Sequence, residues 1–317
     1  MNRNSSTSSS EDLRKFATRV AVFLALLFAL DRALGWAAEN LYLRTRDGDT
    51  GETINALLER PREIIVFGSS RAESHYKPDI IGKALGRGVF NAGFKGSNTI
   101  FDYGLEQLVL DRYVPKIIIY DFSAYSVERT RTDPYDRLSP LYPYWRNPHV
   151  WQLISAAGTM ATWPFLSRIY PYSSKIHSLV IFNIIAHRRN AIDGYDGSEA
   201  IMPPQDLGVL KSDSTDYDPR LVGYLRDFIE LAHARGARVV VVESPRYAGG
   251  SFALPDSVRL LMGRYGIPFL DFNLDRFPEF RDHRLFRDAS HLNDAGATRF
   301  SQEVGAAVAA LESDKGV

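Results

Sequence analysis

Short apolar runs that end in small or polar residues recur along the chain between residues 63 and 271. They occupy residues 63–68, 88–91, 116–121, 238–243 and 268–271. A short, continuously apolar run with polar residues at its end is typical of a strand buried on both faces of a parallel sheet. We therefore predict a parallel sheet of about five strands.

Helical periodicity fills the intervals between these runs. Leu221 and Phe228 would share one face of a helix, and Gly236 lies where its C-cap belongs. Residues 100–110 show the same period, and a last helix would follow Asn293, which is a good N-cap residue. Strands that alternate with helices imply right-handed βαβ units. The expected fold class is therefore α/β, with helices on both faces of the sheet.

One stretch, at about residues 125–215, breaks this alternation because it contains no strand-like run. It is rich in prolines and in aromatic residues, which include Tyr142, Tyr144, Trp145, Trp151, Trp163, Phe165, Tyr170 and Tyr172. We predict a partly helical insertion packed near the strand ends. Its rings would form a small secondary core, since aromatic side chains mostly pack. A lid, a sugar-binding surface or a membrane-facing rim is the functional alternative.

The N-terminal region is polar at first and then strongly apolar. Residues 1–10 have the composition of a disordered tail, whereas residues 20–38 are mostly apolar but contain the charged pair Asp31 and Arg32. The apolar stretch approaches the roughly 20 residues that cross a bilayer core. It fits a cleaved signal peptide, a buried helix of a soluble protein or an uncleaved single-pass anchor.

We favour the anchor, because Asp31 and Arg32 are poorly placed before a cleavage site and can partly neutralise each other. Arg14, Lys15 and Arg19 precede the span, so the positive-inside rule favours a cytoplasmic N-terminus. The expected organisation is a disordered cytoplasmic tail at residues 1–15, a transmembrane anchor at 16–42, a linker at 43–62 and a folded domain at 63–317.

Composition excludes several classes of function. The 38 Lys and Arg residues balance 38 Asp and Glu residues, so no overall field favours nucleic acid. The absence of cysteine excludes disulfides, zinc–thiolate sites and cysteine nucleophiles. The His, Asp and Glu residues lack metal-ligand spacing, and the glycines form neither a phosphate loop nor a dinucleotide fingerprint. We therefore expect neither a metal nor a cofactor.

Polar residues that can carry chemistry follow the predicted strands. Ser70 comes directly after the first run, Gly96 lies in the loop after the second, and Asp121 ends the third. His291 lies just before the last helix. Because ligands bind at the carboxyl ends of parallel strands, we expect these residues to lie near one another.

Ser70 and His291 suit nucleophilic catalysis. Serine is a weak nucleophile that needs an adjacent base, and histidine titrates near neutral pH. Asp288 precedes His291 by three residues, so its carboxylate can bind the second ring nitrogen and fix the tautomer. Ser69 is a rival nucleophile, and His75 is a rival base that lacks an acid at comparable spacing.

With these motifs the chain resembles the SGNH (GDSL-like) hydrolase superfamily over roughly residues 63–311, apart from the insertion. Residues 67–70 (Phe-Gly-Ser-Ser) resemble its first block, with the last serine in the nucleophile position. Residues 91–96 (Asn-x-Gly-x-x-Gly) resemble the second block, and residues 288–291 (Asp-x-x-His) resemble the final block. The resemblance is nearest to the membrane-anchored bacterial branch that includes relatives of alginate O-acetylation proteins and DltD-type proteins.

The resemblance implies a flavodoxin-like three-layer α/β/α fold and ester chemistry through an acyl-enzyme on Ser70. It also implies an oxyanion hole that uses the backbone N–H groups of Ser70 and Gly96. The third block usually supplies an asparagine, but here the third strand is followed by Phe-Ser at residues 122–123. Ser123 or Asn98 is the candidate replacement. Loss of one such donor typically costs about 10²–10³ in rate.

The expected function is therefore that of a serine esterase or O-acyltransferase acting on an acylated cell-surface glycan, with acetyl as the expected acyl group. The resemblance places the chain in a bacterial inner membrane, with residues 20–38 in the bilayer and the large domain in the periplasm. Expected partners are the glycan or acyl-ester substrate, a membrane-bound acyl carrier and polysaccharide-assembly proteins, and not nucleic acid.

Two alternatives remain open. The missing asparagine fits a non-catalytic SGNH-fold partner of a polysaccharide assembly or modification complex, because a fold does not guarantee its usual function. A soluble esterase whose N-terminal helix packs on the domain is the other. Arg71 and Arg246 flank predicted strand ends and are candidates for binding an anionic sugar or phosphate, although we favour a surface or structural salt bridge for both.

Overall fold

The computed structural model describes residues 6–46, 48, 51–184, 193–204, 216–247 and 254–313. Within them, a five-stranded sheet has the order β2-β1-β3-β4-β5, and all neighbouring strands are parallel. The strands are β1 (Ile64–Gly68), β2 (Val89–Asn91), β3 (Ile117–Asp121), β4 (Arg238–Glu243) and β5 (Phe269–Asp271). This is the strand order of flavodoxin-like doubly wound sheets. The predicted α/β fold class is therefore confirmed.

Helices surround the sheet and precede it. In chain order they are α1 (Ser6–Arg44), α2 (Ala56–Glu59), α3 (Ser70–His75), α4 (Pro78–Leu85), α5 (Thr99–Leu110), α6 (Pro148–Ala156), α7 (Thr159–Thr162), α8 (Ile176–Ile184), α9 (Pro219–Ala234), α10 (Asp256–Tyr265) and α11 (Asp294–Ser313).

The three layers arise because alternate residues of each strand face opposite sides of the sheet. On one side, Ile65 and Phe67 of β1 join a core with the apolar faces of α5, α9 and α10. On the other side, Ile64 and Val66 join a second core with α4 and α11. β1, β2 and β3 are buried along their whole length and β4 after its first residue, which explains their apolar runs, whereas the edge strand β5 is half-buried.

The N-terminal helix is longer than the sequence predicted. α1 begins at Ser6, so residues 6–15 of the expected tail continue the helix, while residues 1–5 lie outside the described residues. Among the described helices, α1 alone is long and apolar enough to cross a membrane by length and composition.

The segment expected to be a linker packs against the core. Gly51–Asn55 forms one π-helical turn that leads into α2. Ile54 and Leu57 in this segment are fully buried in the cluster on the α5 side of the sheet.

The described part of the insertion forms α6, α7, α8 and several 3₁₀ turns, while residues 185–192 and 205–215 lie outside the described residues. Its rings pack edge to face: the Phe165 ring centroid lies 5.2 Å from that of Tyr142 and 5.6 Å from that of Trp151. Most of the insertion's aromatic residues therefore pack, as expected, but they extend the main hydrophobic core instead of forming a separate secondary one.

Candidate active site

Ser70 stands at the first position of α3, directly behind the end of β1. Gly68 closes the strand with a φ of 138°, and Ser69 is the helix N-cap with an extended backbone. A Cβ at residue 68 would lie 2.9 Å from the carbonyl oxygen of Asp121, so this turn needs a glycine. The Ser70 N–H lies in the first helical turn, where no intrahelical acceptor exists.

Ser70, His291 and Asp288 form one hydrogen-bonded chain. Ser70 Oγ lies 2.8 Å from Nε2 of His291. Nδ1 of His291 lies 2.9 Å and 3.0 Å from the two carboxylate oxygens of Asp288. One of these oxygens also accepts the backbone N–H of Ser290 at 2.8 Å and of His291 at 3.0 Å. The backbone therefore fixes the carboxylate, and the carboxylate directs Nε2 of the ring at the serine.

The charge states of this chain suit a base and its orienting acid. Burial lowers the pKa of His291; Asp288 opposes that effect, while Arg287 and Arg71 add to it, and the pKa stays below its usual value. Burial raises the pKa of Asp288, but the Ser290 N–H and the adjacent His291 outweigh this and hold it below its usual value. At neutral pH the imidazole is therefore neutral and the carboxylate ionised.

The rival base His75 and the carboxylates nearest to Asp288 in sequence have other partners. His75 is fully buried, and its Nε2 accepts the backbone N–H of Leu292 at 2.9 Å. Burial lowers the pKa of His75 well below its usual value, which keeps the ring neutral and able to accept this bond. His75 thus fixes the loop that carries the site histidine. Asp282 and Asp294, the carboxylates nearest to Asp288 in sequence, form ion pairs elsewhere.

The loop after β2 is held tightly against α3. Asn91 donates through Nδ2 to the carbonyls of residues 72 and 76 at 2.7 Å and 2.9 Å, and its Oδ1 accepts the Gly93 N–H at 2.9 Å. A Cβ on Gly93 would lie 2.2 Å from a backbone nitrogen of α3, so only glycine permits this approach. The loop then turns at Gly96, with a φ of 73°, and Gly96 lines the same cleft as Ser70.

Asn98, one candidate for the missing oxyanion donor, lines the cleft and is held by three hydrogen bonds. Its Oδ1 accepts the N–H groups of Ile100 and Phe101, both at 3.2 Å, and its Nδ2 donates to the carbonyl of Pro134 at 2.8 Å. The oxygen caps the N-terminus of α5, and the bond to Pro134 uses one of the two Nδ2 hydrogens. Ser123, which follows β3, lines the same cleft, so both candidates lie at the site.

Arg71 supports the strand ends. Its guanidinium donates to the carbonyl of Phe122 at 2.6 Å and to that of Ser244 at 3.3 Å. Its Nε lies 3.6 Å from the buried carboxylate of Asp121, which also accepts the Tyr76 hydroxyl at 2.8 Å. Arg71 thus ties α3 to the ends of β3 and β4. These bonds fit the salt-bridge interpretation of this residue, and Arg71 also lines the cleft beside Ser70.

A cleft of about 350 Å³ opens over the serine and the histidine. Arg246 lines it and is only 4% exposed. The insertion forms the opposite wall with residues that include Tyr125, Glu128 and Arg137. Arg137 Nη1 lies 3.3 Å from the position that a Cβ on Gly96 would take, so this cation stands beside the expected oxyanion hole. The sequence analysis did not identify these residues, because it searched for polar residues at the ends of predicted strands and the insertion contains no predicted strand.

Comparisons with known proteins do not assign the chain to a family. No protein-family model matches the chain, and no curated protein matches it. Among solved structures it is similar to a gut microbial diltiazem-metabolizing enzyme, with 11% sequence identity and a TM-score of 0.32. The match covers 77% of this chain and 46% of that one, so the chain spans about half the length of that enzyme. Within the described residues, no group of three or more His, Asp or Glu side chains is placed to hold a metal ion.

Proposed function

We propose that the chain is a membrane-anchored SGNH-type serine esterase or O-acyltransferase that acts on an acylated cell-surface glycan. The observation that carries the proposal is the hydrogen-bonded chain from Ser70 through His291 to Asp288, beside an open cleft. A serine alone is unreactive, whereas a serine 2.8 Å from a neutral, oriented imidazole has the base that acyl transfer needs.

The chemistry follows from this geometry. Ser70 Oγ attacks the ester carbonyl while its proton passes to Nε2 of His291, and Asp288 stabilises the imidazolium that forms. The carbonyl oxygen takes up the negative charge and accepts hydrogen bonds from the N–H groups of Ser70 and Gly96, with the Ser123 hydroxyl as third donor. Collapse of the intermediate expels the alcohol, which takes the proton from His291. The acyl group remains on Ser70.

The second half of the reaction reverses these steps. Water or a sugar hydroxyl loses its proton to His291 and attacks the acyl-enzyme, which releases Ser70 and gives an acid or a new ester. Hydrolysis and transfer differ only in which hydroxyl group reaches the acyl carbonyl. Product analysis with a glycan acceptor separates them: acylated glycan would indicate transfer, and free carboxylic acid alone would indicate hydrolysis.

The lining of the cleft supports a polar, hydroxyl-rich substrate. Its walls carry hydroxyl groups that can bond to sugar hydroxyls, namely those of Ser97, Ser123, Ser126, Thr130 and Thr132. Tyr125 in the same cleft is exposed and offers a ring on which a sugar can stack. The long apolar α1 supports action at a membrane, with the domain on the periplasmic side.

Replacement of the nucleophile tests the proposal. Ser70→Ala should abolish labelling by a fluorophosphonate probe and reduce turnover of an aryl acetate ester by about 10⁴-fold or more, because Ser70 Oγ is the hydroxyl that His291 Nε2 contacts. Ser69→Ala is the matched control, since it changes the neighbouring serine and should retain both signals. Full labelling and turnover in Ser70→Ala would refute the proposed role.

The non-catalytic alternative predicts a different outcome in cells. If the chain were only a binding partner of a polysaccharide complex, Ser70→Ala would restore glycan modification in a deletion strain as well as the wild type does. Under the proposed function it fails to restore modification, although the protein is present at normal levels.

A further inference from the structure

The part of the anchor helix that precedes the charged residues Asp31 and Arg32 is shorter than a bilayer core. Residues 16–30 come before Asp31, and at 1.5 Å per residue they span about 22 Å, against about 30 Å for a bilayer core. A spanning α1 must therefore bring Asp31 and Arg32 close to or into the apolar region, where a charged group without partners costs several kcal/mol.

The insertion supplies the partners for both charges. The carboxylate of Asp31 accepts the Ser167 hydroxyl and the backbone N–H groups of Arg168 and Ile169, the Arg168 bond at 2.9 Å. The guanidinium of Arg32 donates to the carbonyl of Leu166 and, at 3.0 Å through Nε, to Asp31 itself. The two charged side chains thus pair with each other and with backbone groups of the insertion. Polar groups within the apolar part of a membrane need such partners.

The contact is a packed one. A Cβ on Gly35 would lie 2.6 Å from the backbone of Arg168, so glycine lets the loop lie directly against α1. Glu39, one turn further along, pairs with Arg168 and with Arg146, both at 3.0 Å. Every residue of α1 from 10 to 30 is exposed, whereas from Asp31 onward the helix is partly covered by the insertion.

Beside this contact the insertion exposes large apolar side chains. Met160 is 81%, Trp163 64% and Leu166 72% exposed, and all three lie within one short segment, α7 and the 3₁₀ turn after it. Leu166 is the residue whose carbonyl binds Arg32, so this apolar edge adjoins the helix that enters the membrane. Tryptophan is enriched at the level of lipid headgroups, where its ring and its N–H are both accommodated.

We propose that residues 159–167 form a second membrane contact, in which Met160, Trp163 and Leu166 insert into the lipid interface against α1. The inserted edge shields Asp31 and Arg32 from lipid and holds the domain at a fixed orientation to the bilayer. The occupant of this surface is the bilayer itself, because the surface is continuous with the exposed face of the anchor. The inference rests on the anchor of the proposed function, not on its chemistry.

Single labelled cysteines in the full chain test this contact, since the native chain has no cysteine. Met160→Cys and Leu166→Cys would carry an environment-sensitive fluorophore in proteoliposomes. We expect strong quenching by lipids with a nitroxide near the headgroup and at least about a two-fold lower sensitivity to aqueous iodide than at Leu260→Cys. Leu260 is the matched control, because it is 75% exposed but lies on α10.

A fourth labelled position distinguishes failure of the inference from failure of the anchor. Phe23→Cys lies in the exposed apolar part of α1 and reports whether the helix is in lipid. Lipid quenching at residues 23, 160 and 166 supports the inference. Lipid quenching at residue 23 with iodide access at 160 and 166 equal to that at 260 overturns it, while the anchor stands. Iodide access at all positions overturns both the inference and the anchor. An unchanged circular dichroism spectrum and an unchanged Tm in detergent show that each variant is folded.

Discussion

At the residue scale, the ionisation of His291 governs the proposed chemistry. Only the neutral imidazole can take the serine proton, and its pKa lies below the usual value of 6.5 because of burial. We therefore expect kcat/KM for an aryl acetate to rise with pH along one ionisation below pH 6.5 and to be flat through neutral pH. A pH–rate profile measures this directly, and an essential ionisation above pH 7 would contradict the assignment.

Asp288→Asn provides the matched variant for that profile. The carboxylate raises the pKa of His291 against the effect of burial, so its loss should lower the apparent pKa further. It should also reduce kcat by up to about 10⁴-fold, because the ring loses the partner that fixes its tautomer. Asp282→Asn, close in sequence but paired with Arg284, should leave both the profile and the rate unchanged.

At the element scale, α5 carries buried carboxyl groups beneath the oxyanion loop. Asp102 is 1% exposed and accepts the Tyr120 hydroxyl at 3.1 Å, and Glu106 follows one turn later with 0% exposure. Burial raises the pKa of Asp102 to about 7, against the lowering effects of Tyr120 and Ser97. Burial also raises the pKa of Glu106 well above its usual value.

Because these two carboxyl groups have raised pKa values in the fold, we expect their contribution to the free energy of unfolding to fall as pH rises. A carboxyl whose folded pKa exceeds its unfolded value of 3.8 stabilises the fold fully below that value and loses this contribution as pH rises through about 7. Asp102→Asn keeps the acceptor for Tyr120 without the ionisation. We expect its Tm relative to wild type to increase by several degrees between pH 5 and pH 8, at roughly 2–4 °C per kcal/mol.

Thermal unfolding of the chain in detergent, followed by circular dichroism, measures this difference. Asp275→Asn is the control, because its side chain is 91% exposed and its removal should give a difference that hardly changes with pH. A pH-independent difference for Asp102→Asn as well would show that Asp102 is ionised in the fold throughout this range.

At the scale of the whole molecule, α1 decides where the domain acts. An uncleaved anchor predicts that the chain stays with membranes in high salt and at alkaline pH and is released by detergent. Its intact mass should be the 35.7 kDa of the full sequence, which includes the N-terminal residues. Release by salt would favour a soluble esterase, and a mass that lacks the apolar segment would favour a cleaved signal peptide.

The sequence by itself determined the strands of the sheet and the candidate site residues. Strands buried on both faces must be continuously apolar, so β1, β3 and β4 could be placed within a residue or two. Parallel strands bring their carboxyl ends to one edge, which placed Ser70 near the later His291 and Asp288. These features follow from local periodicity and from the geometry of a parallel sheet.

Only the tertiary structure decided which polar groups are already in use. Arg71 binds carbonyls far along the chain, Asn98 is used as a helix cap, and His75 holds the loop of the site histidine. The insertion's contribution of Arg137 to the cleft, and its bonds to Asp31, were equally hidden. Hydrogen-bond partners are chosen by proximity in space, and a linear pattern does not encode which distant backbone groups a folded chain brings within reach.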